Sequence, residues 1–192
     1  MRITTFYIRH MHIRKATIED FPQMLPIFRQ VIEGGDTYDF EETASDQDAF
    51  DYWFGKGVVS FVAVDGEEPE NYSPNCAVVN GDSAGQKNPR ILGFYKIIQN
   101  HRGRGSHVAN ASFMVSRETR NKGIGRKMGE DCIRQAKSMG FKAIQFNFVI
   151  STNEPAMHLW KGLGFKELCR LPGAFNHKNL GYVDAVIFFR EL

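Results

Sequence analysis

The sequence is short of cysteine, of long apolar runs and of any excess of one charge, and each shortage removes a class of protein. Its three cysteines, Cys76, Cys132 and Cys169, stand far apart, with no Cys-x-x-Cys pair and no histidine cluster beside them. Free thiols are expected, and neither a metal site nor a disulfide framework. No stretch approaches the ~20 apolar residues of a membrane helix. The opening Met1-Arg2-Ile3-Thr4-Thr5-Phe6-Tyr7-Ile8 is too short and polar for a secretory signal, so a soluble, cytoplasmic protein is expected. Against 24 basic residues stand 22 acidic ones. That balance gives no electrostatic reason for nucleic acid or an anionic membrane as the main partner. A chain of 192 residues is one domain's worth, and no internal repeat is visible.

What is present is a turn, Arg120-Asn121-Lys122-Gly123-Ile124-Gly125, which follows an apolar run and opens a helix-patterned stretch. Peptide N–H groups at a helix start lack intrahelical partners and sit at the positive end of the dipole, and glycines let an anion lie against the bare backbone. The turn reads as a cradle for a diphosphate. A Walker loop is excluded, because Arg126 and Lys127 follow Gly125 and no hydroxyl residue is near. A Rossmann turn fits poorly, since Met128 stands where the third glycine belongs and Gly129 comes one place late.

The spacing Arg120-x-x-Gly123-x-Gly125, between an apolar strand pattern and an amphipathic helix pattern, resembles the coenzyme A loop of the GNAT acyltransferase superfamily. A later stretch, Asn153-Glu154-Pro155-Ala156-Met157-His158-Leu159-Trp160-Lys161-Gly162-Leu163-Gly164-Phe165, is similar to that superfamily's Asn-x-x-Ala-x-x-x-Tyr-x-x-x-Gly-Phe signature, in the same order. Trp160 takes the place where many relatives carry tyrosine. The likeness implies an α/β fold: a single GNAT-like domain with a mixed, mostly antiparallel central sheet, splayed at its middle and flanked by helices. It implies acetyl-CoA as cofactor and transfer of an acetyl group to an amine by direct attack in a ternary complex.

Taken in order, residues 1–11 read as an extension, with Met11 an alternative start, and residues 12–192 as the N-acetyltransferase domain. A helix is expected over residues 21–33, capped by Asp20, with Phe21, Met24, Leu25, Phe28 and Ile32 on one face. Residues 36–42 form an acidic, aromatic loop, either solvated or bordering the acceptor site, and Ser45 can cap a second helix carrying Phe50, Trp53 and Phe54. Strands are expected over residues 58–64, 91–98 and 108–115. The polar connection of residues 65–89, with Asn80-Gly81 as a tight turn, is either an insertion or a flap. The basic loop from His101 to His107 reads as a solvated hairpin tip. After the cradle, Ile124, Met128, Cys132, Ala136 and Met139 mark one apolar helix stripe ending near Gly140. On the strand over residues 141–150, Ile144, Phe146, Phe148 and Ile150 share a face opposite Gln145 and Asn147. Runs at 166–171 and 181–190 complete the sheet. These last strands, or the long connection, could form the edge of a homodimer.

The resemblance assigns roles. Backbone N–H groups of Met114 and Val115 are the expected oxyanion donors, and the amides of Lys122, Gly123, Ile124, Gly125 and Arg126 would hold the diphosphate, with charge from Arg120 and Lys122. Asn153 would contact the cofactor near its sulfur, or act as a simple helix cap. Indole N–H does not release a proton near neutral pH, so a catalytic role for Trp160 is doubtful and packing against the cofactor is expected instead. Asn110 and Asn147 sit where strands should be apolar. With Asn153, and the wording of Ser151-Thr152-Asn153-Glu154-Pro155-Ala156, they resemble the fungal-type acetyltransferases of azetidine-2-carboxylate and other proline analogues. That likeness implies that Asn110 and Asn147 bind an amino acid substrate; buried amides satisfied within the fold are the other reading. No single base stands out among Glu33, Asp36, Glu41, His107 and Glu118. The expected substrate is a small-molecule amine, with protein N-acetylation or a non-catalytic acyl-CoA-binding module as alternatives.

Overall fold

The computed structural model describes residues 10–66 and 89–192. Residues 1–9, most of the polar connection and its Asn80-Gly81 pair lie outside them. The elements are β1 (Met11–Lys15), α1 (Phe21–Ile32), α2 (Asp46–Phe54), β2 (Val59–Asp65), β3 (Ile91–Gln99), β4 (Val108–Val115), α3 (Ile124–Ser138), β5 (Ala143–Ile150), α4 (Glu154–Gly162), β6 (Lys166–His177) and β7 (Gly181–Glu191). The strand β1 thus already begins at Met11, which the sequence assigned to the extension. Among the described residues seven strands form one mixed sheet in the order β1-β2-β3-β4-β5-β7-β6. Only β4 and β5 are parallel; every other pair is antiparallel. No helix among the described residues is long and apolar enough to cross a membrane.

Local chemistry sets most of the boundaries. Ser45 caps α2, its Oγ accepting from the Asp48 amide at 3.1 Å while the Asp48 carboxylate accepts from the Ser45 amide at 2.8 Å. Asp20, expected to cap α1, does something else. Its backbone is already helical, a 3-10 turn over Ile18–Asp20 runs into α1, and its carboxylate accepts from the Thr17 amide at 2.9 Å and pairs with Arg14 at 2.7 Å. On α1 the buried face is Met24, Ile27, Phe28, Val31 and Ile32, so Phe21 and Leu25 form its rim instead. On α3 the stripe holds through Ile124, Met128, Cys132 and Ala136, but Met139 follows the last helical residue and is 42 % exposed.

The sheet separates two cores. Helices α1 and α2 cover one face with Met24, Phe28, Ile32 and Trp53 against Val62, Phe94 and Met114. Helices α3 and α4 cover the other with Ile124, Met128, Trp160 and Leu163 against Tyr95, Ala109, Ile144 and Phe146. The hydroxyl of Tyr95 donates to Asp131 of α3, which also pairs with Arg134, tying the helix that follows the cradle to the centre of the sheet. Past Phe146 the pairing of β5 with β7 changes register. Phe148, expected on the buried face, is 38 % exposed and sets its edge against Phe175. The outer strand β6 extends to His177, well beyond residue 171, and the β6–β7 edge exposes Leu168, Leu171, Leu180 and Tyr182.

One feature positions the site. The β4–β5 ladder consists of Val108↔Ala143 and Ala109↔Ile144, and beyond these pairs the strands part. Below the opening Trp160 packs between Phe113 of β4 and Phe146 of β5, with ring centroids 4.8 and 4.5 Å away. The β3 side of the opening depends on a close approach at Gly93, where an added Cβ would lie 2.8 Å from the Met114 carbonyl oxygen and 3.1 Å from Met128 Cε. Gly93→Ala is therefore expected to destabilise the protein by ~1–3 kcal/mol through overpacking against backbone. At this chain length that lowers the melting temperature by about 2–4 °C per kcal/mol; an unchanged melting curve would contradict this packing.

Candidate active site

The exposed backbone of β4 can be assigned from its pairing with β3. The Asn100 amide donates to the Val108 carbonyl at 2.9 Å and the Ser116 amide to the Leu92 carbonyl at 3.0 Å, bracketing a register in which Phe94 faces Met114 and Lys96 faces Ser112. Hydrogen-bonded pairs alternate along such a ladder. The main-chain groups of Asn110, Ser112 and Met114 therefore turn toward β3, and those of Ala111, Phe113 and Val115 turn toward the gap. This corrects one expectation: Met114 borders the cavity, but its N–H is directed to β3, and Val115 supplies the gap-facing amide of the pair. On the same edge the Phe113 carbonyl accepts from the Tyr38 hydroxyl at 2.8 Å.

The gap widens into a cavity of about 750 Å³. One end is the cradle, where Arg120, Asn121, Gly123, Ile124 and Gly125 all line the space. Gly123 is the N-cap of α3 at φ 77°, and a Cβ built on it meets nothing within 4 Å. A Cβ on Gly125 makes only an ordinary contact, 3.5 Å from Leu159. Neither glycine is required by packing from within, so their bareness leaves the helix start open to the cavity. Lys122 and Arg126 flank the turn on the exposed surface without lining the cavity.

Asn153 caps α4, its Oδ1 accepting from the Ala156 amide at 3.3 Å, and it borders the cavity as well. The cap reading of this residue is what the structure shows: Oδ1 serves the helix, and the amide nitrogen is not used by that bond. Trp160 is 6 % exposed, a core ring whose face also borders the cavity. Asn110 and Asn147 line the space from β4 and β5. The second of them is held on both sides: its Oδ1 accepts from Gln145 Nε2 at 2.8 Å, and its Nδ2 donates to Asn100 Oδ1 at 2.7 Å.

Of the five candidate bases, only Asp36 lines the cavity. Glu118 is paired with Arg90, His107 Nδ1 contacts the Arg104 carbonyl, and Glu33 and Glu41 are exposed on the surface. Tyr38 and Asp39, in the loop expected to be either solvated or at the border of the acceptor site, line the cavity, as do three residues that sequence reasoning passed over: Tyr52, Ser112 and His177. His177 Nδ1 accepts from the Asn179 amide at 3.1 Å, which puts the proton of the neutral ring on Nε2. Behind the cleft wall, Tyr52 and Ser112 share a hydroxyl hydrogen bond at 2.7 Å, and Lys96 lies buried beneath them. Its Nζ donates to the Tyr52 carbonyl at 2.8 Å and stands 3.0 Å from the centre of the Tyr52 ring. Burial pushes the Lys96 ammonium down to about 7, with Asp39 pulling the other way, and pushes the Tyr52 phenol up to about 12. The signal that could have found Lys96 is plain in hindsight: a charged residue inside the apolar run Ile91 to Ile98.

Comparison with known proteins now gives this geometry a class. Residues 35–165 match the Acetyltransferase (GNAT) family. The chain is similar to the N-acetyltransferase aca1 of Schizosaccharomyces pombe, at 35 % identity over 163 residues, covering 82 % of this chain and 73 % of that protein. It is also similar to the structure of a GCN5-related N-acetyltransferase from Kribbella flavida, at 34 % identity and TM-score 0.79, covering 95 % of this chain and 98 % of that one. A phosphinothricin acetyltransferase from Sinorhizobium meliloti, solved in complex with AcCoA, shares the fold at 19 % identity and TM-score 0.72, over 95 % and 88 % of the two chains. The chain belongs to the GNAT family of N-acetyltransferases, and acetyl-CoA is the cofactor of that family.

The residues present fit that cofactor. The open helix start at Gly123 to Gly125 suits a diphosphate, and the gap-facing backbone of Phe113 and Val115 suits an amide-bearing arm laid alongside.

The ionisation of Lys96 can be measured without any ligand. Its folded-state value lies below the ~10.4 of an exposed lysine, so from about 7 up to ~10.4 the unfolded chain binds more protons than the folded one and stability rises with pH. Denaturant unfolding at about pH 6.5 and about pH 9.5 should show a gain in the native protein that Lys96→Met largely lacks. Equal gains in the two proteins would contradict the buried, charge-disfavouring setting of Lys96.

Proposed function

We propose that the protein transfers the acetyl group of acetyl-CoA to the amine of a small molecule, an amino acid or a toxic amino acid analogue, by direct attack within a ternary complex. The observation that carries this reading is the parting of β4 from β5 after Ala109, which brings gap-facing β4 backbone, the glycine cradle and two strand asparagines to one cavity. When bound, the cofactor supplies an acetyl thioester, activated for attack by a neutral amine.

The chain's own residues divide into three groups. The amides of Gly123, Ile124, Gly125 and Arg126 would hold the diphosphate, with Arg120 and Lys122 adding positive charge. Val115 N–H and Asn153 Nδ2 would donate near the reacting carbonyl and sulfur, where hydrogen bonds to developing charge count most. Asn110 and Asn147 would hold the acceptor, and Asp36, which with Asp39 brings a carboxylate to the cavity wall, would take the ammonium proton directly or through water. Trp160 contributes a packed ring, not a proton. The likeness of Asn110, Asn147 and Asn153 to the proline-analogue acetyltransferases supports an amino acid analogue as acceptor.

A thiol-release assay over a panel of amines tests the reading. Release is expected with small amino acids or cyclic imino acids; release only with polypeptides, or acetyl-CoA binding with no release at all, would overturn it. With the best amine, Trp160→Phe should keep kcat within about tenfold. A loss in the range of ~10²–10⁴, the scale of general acid catalysis, with acetyl-CoA affinity intact would show that the indole does more than pack.

A further inference from the structure

Four side-chain amides lie on the sheet face that carries α1 and α2, at the point where β4 leaves β5. Lys96, facing Ser112 across the β3–β4 ladder, sets that face; Asn110 follows Ser112 at even spacing on β4, and Asn100, one residue past the end of β3, is held opposite Val108 of β4 by its amide. Gln145 and Asn147 lie on β5, opposite the buried Ile144 and Phe146. Asn110 and Asn147 line the cavity; Asn100 and Gln145 do not. Three of the four are joined in series, Gln145 Nε2 to Asn147 Oδ1 and Asn147 Nδ2 to Asn100 Oδ1.

We infer that Asn100 and Gln145 are positioning residues, which lock the side chain of Asn147 so that one N–H and one lone pair remain for the acceptor. This rests on the reading that Asn147 binds the acceptor amine. A side-chain amide offers two N–H donors and two acceptor lone pairs. The chain uses one of each, and reversing all three amides together would leave Asn147 the same pair. An adjacent donor and acceptor match an acceptor molecule that itself carries an N–H beside an oxygen acceptor, as an α-amino or cyclic imino acid does.

Two further observations bear on the role of Asn100. Its Nδ2 is buried with no hydrogen-bond partner among the described residues, so the residue is not satisfied by its own surroundings, and its paired end is the one turned to Asn147. Its backbone is fixed independently of its side chain, by the amide bond to Val108 at the closing end of the β3–β4 hairpin. Asn147, in contrast, stands beyond the last β4–β5 pair, where β4 no longer flanks β5. Held from Asn100 on one side and Gln145 on the other, it keeps one rotamer across the gap, and a binding group held in place before the ligand arrives loses less on binding.

A double-mutant cycle tests the inference. Asn100→Ala and Gln145→Ala should each raise the acceptor KM about tenfold, with little change in the Kd for acetyl-CoA by calorimetry. In an Asn147→Ala background the same changes should alter the acceptor KM by less than about twofold, because they act through the residue already removed. Full multiplication of the effects in that background, or an equal loss of acetyl-CoA affinity, would overturn the positioning role. A second readout needs no turnover. The side-chain NH₂ signals of Asn147, identified in ¹⁵N spectra by their loss in Asn147→Ala, should move in both Asn100→Ala and Gln145→Ala. Signals unmoved in both would overturn the inference even if the enzyme is active. Moved signals in a protein that acetylates no small amine would support the amide chain while the proposed function fails.

Discussion

The structure depends on the separation of two parallel strands that begin as neighbours. After two residue pairs β4 and β5 diverge, and main-chain groups that would have bonded across the ladder are left facing a cavity. Buried backbone donors and acceptors without partners are costly, so an opening of this kind persists only when both strands are held firmly from outside. That is what the surrounding elements do. On its outer edge β4 is paired with β3 along its whole length, and β5 is paired with β7. Phe113, Trp160, Phe146 and Phe165 fill the angle between them from below, with successive ring contacts of 4.8, 4.5 and 4.5 Å. On one side Tyr38 satisfies the Phe113 carbonyl from the α1–α2 loop. The opening is therefore a rigid feature of the packed sheet.

The two ends of the cavity differ in chemistry because they are made by different kinds of element. The cradle end is a helix start with exposed cationic side chains, shaped by backbone conformation at Gly123. The opposite end is made from side chains: Asp36, Tyr38 and Asp39 of the loop after α1, Tyr52 of α2, and amides on β4 and β5. Lys96 lies beneath Tyr52, where burial disfavours its charged form. The cradle, with Arg120 beside its helix start, and the carboxylates of Asp36 and Asp39 thus give one cleft two ends of opposite character.

Most of this was legible in the sequence where the signal was local. Residues 120 to 126 announce a helix start with bare backbone, and the spacing of Ile124, Met128, Cys132 and Ala136 gives the helix that follows and the face it buries. The limits of β4 could be read from its apolar run. What could not be read depended on register. Whether Met114 or Val115 turns its amide to the gap is settled only by which residues of β3 lie opposite, a one-residue matter that composition does not encode. Phe148 was expected in the core because strict alternation puts it there; a register shift against β7 takes it to the cleft. Asn100 and Asn147 are separated by 47 positions, so their hydrogen bond is invisible until the strands are placed. Lys96 and Tyr52 join in the same way across the sheet and a helix. The acceptor end, built from such distant contacts, is therefore where sequence reading gave least.

On the edge of β4 facing the gap the Phe113 carbonyl is held by Tyr38, and the Val115 amide is turned to the cavity, where acetyl-CoA would occupy it. Residue-resolved amide hydrogen exchange with and without acetyl-CoA decides this. Val115 and the amides of Gly123 to Gly125 should exchange readily in the free protein and become protected on binding, while Ser112 and Met114 are already protected by β3 in both states. Protection at Val115 that is the same with and without the cofactor, or acquired instead at Ser112 and Met114, would contradict the account.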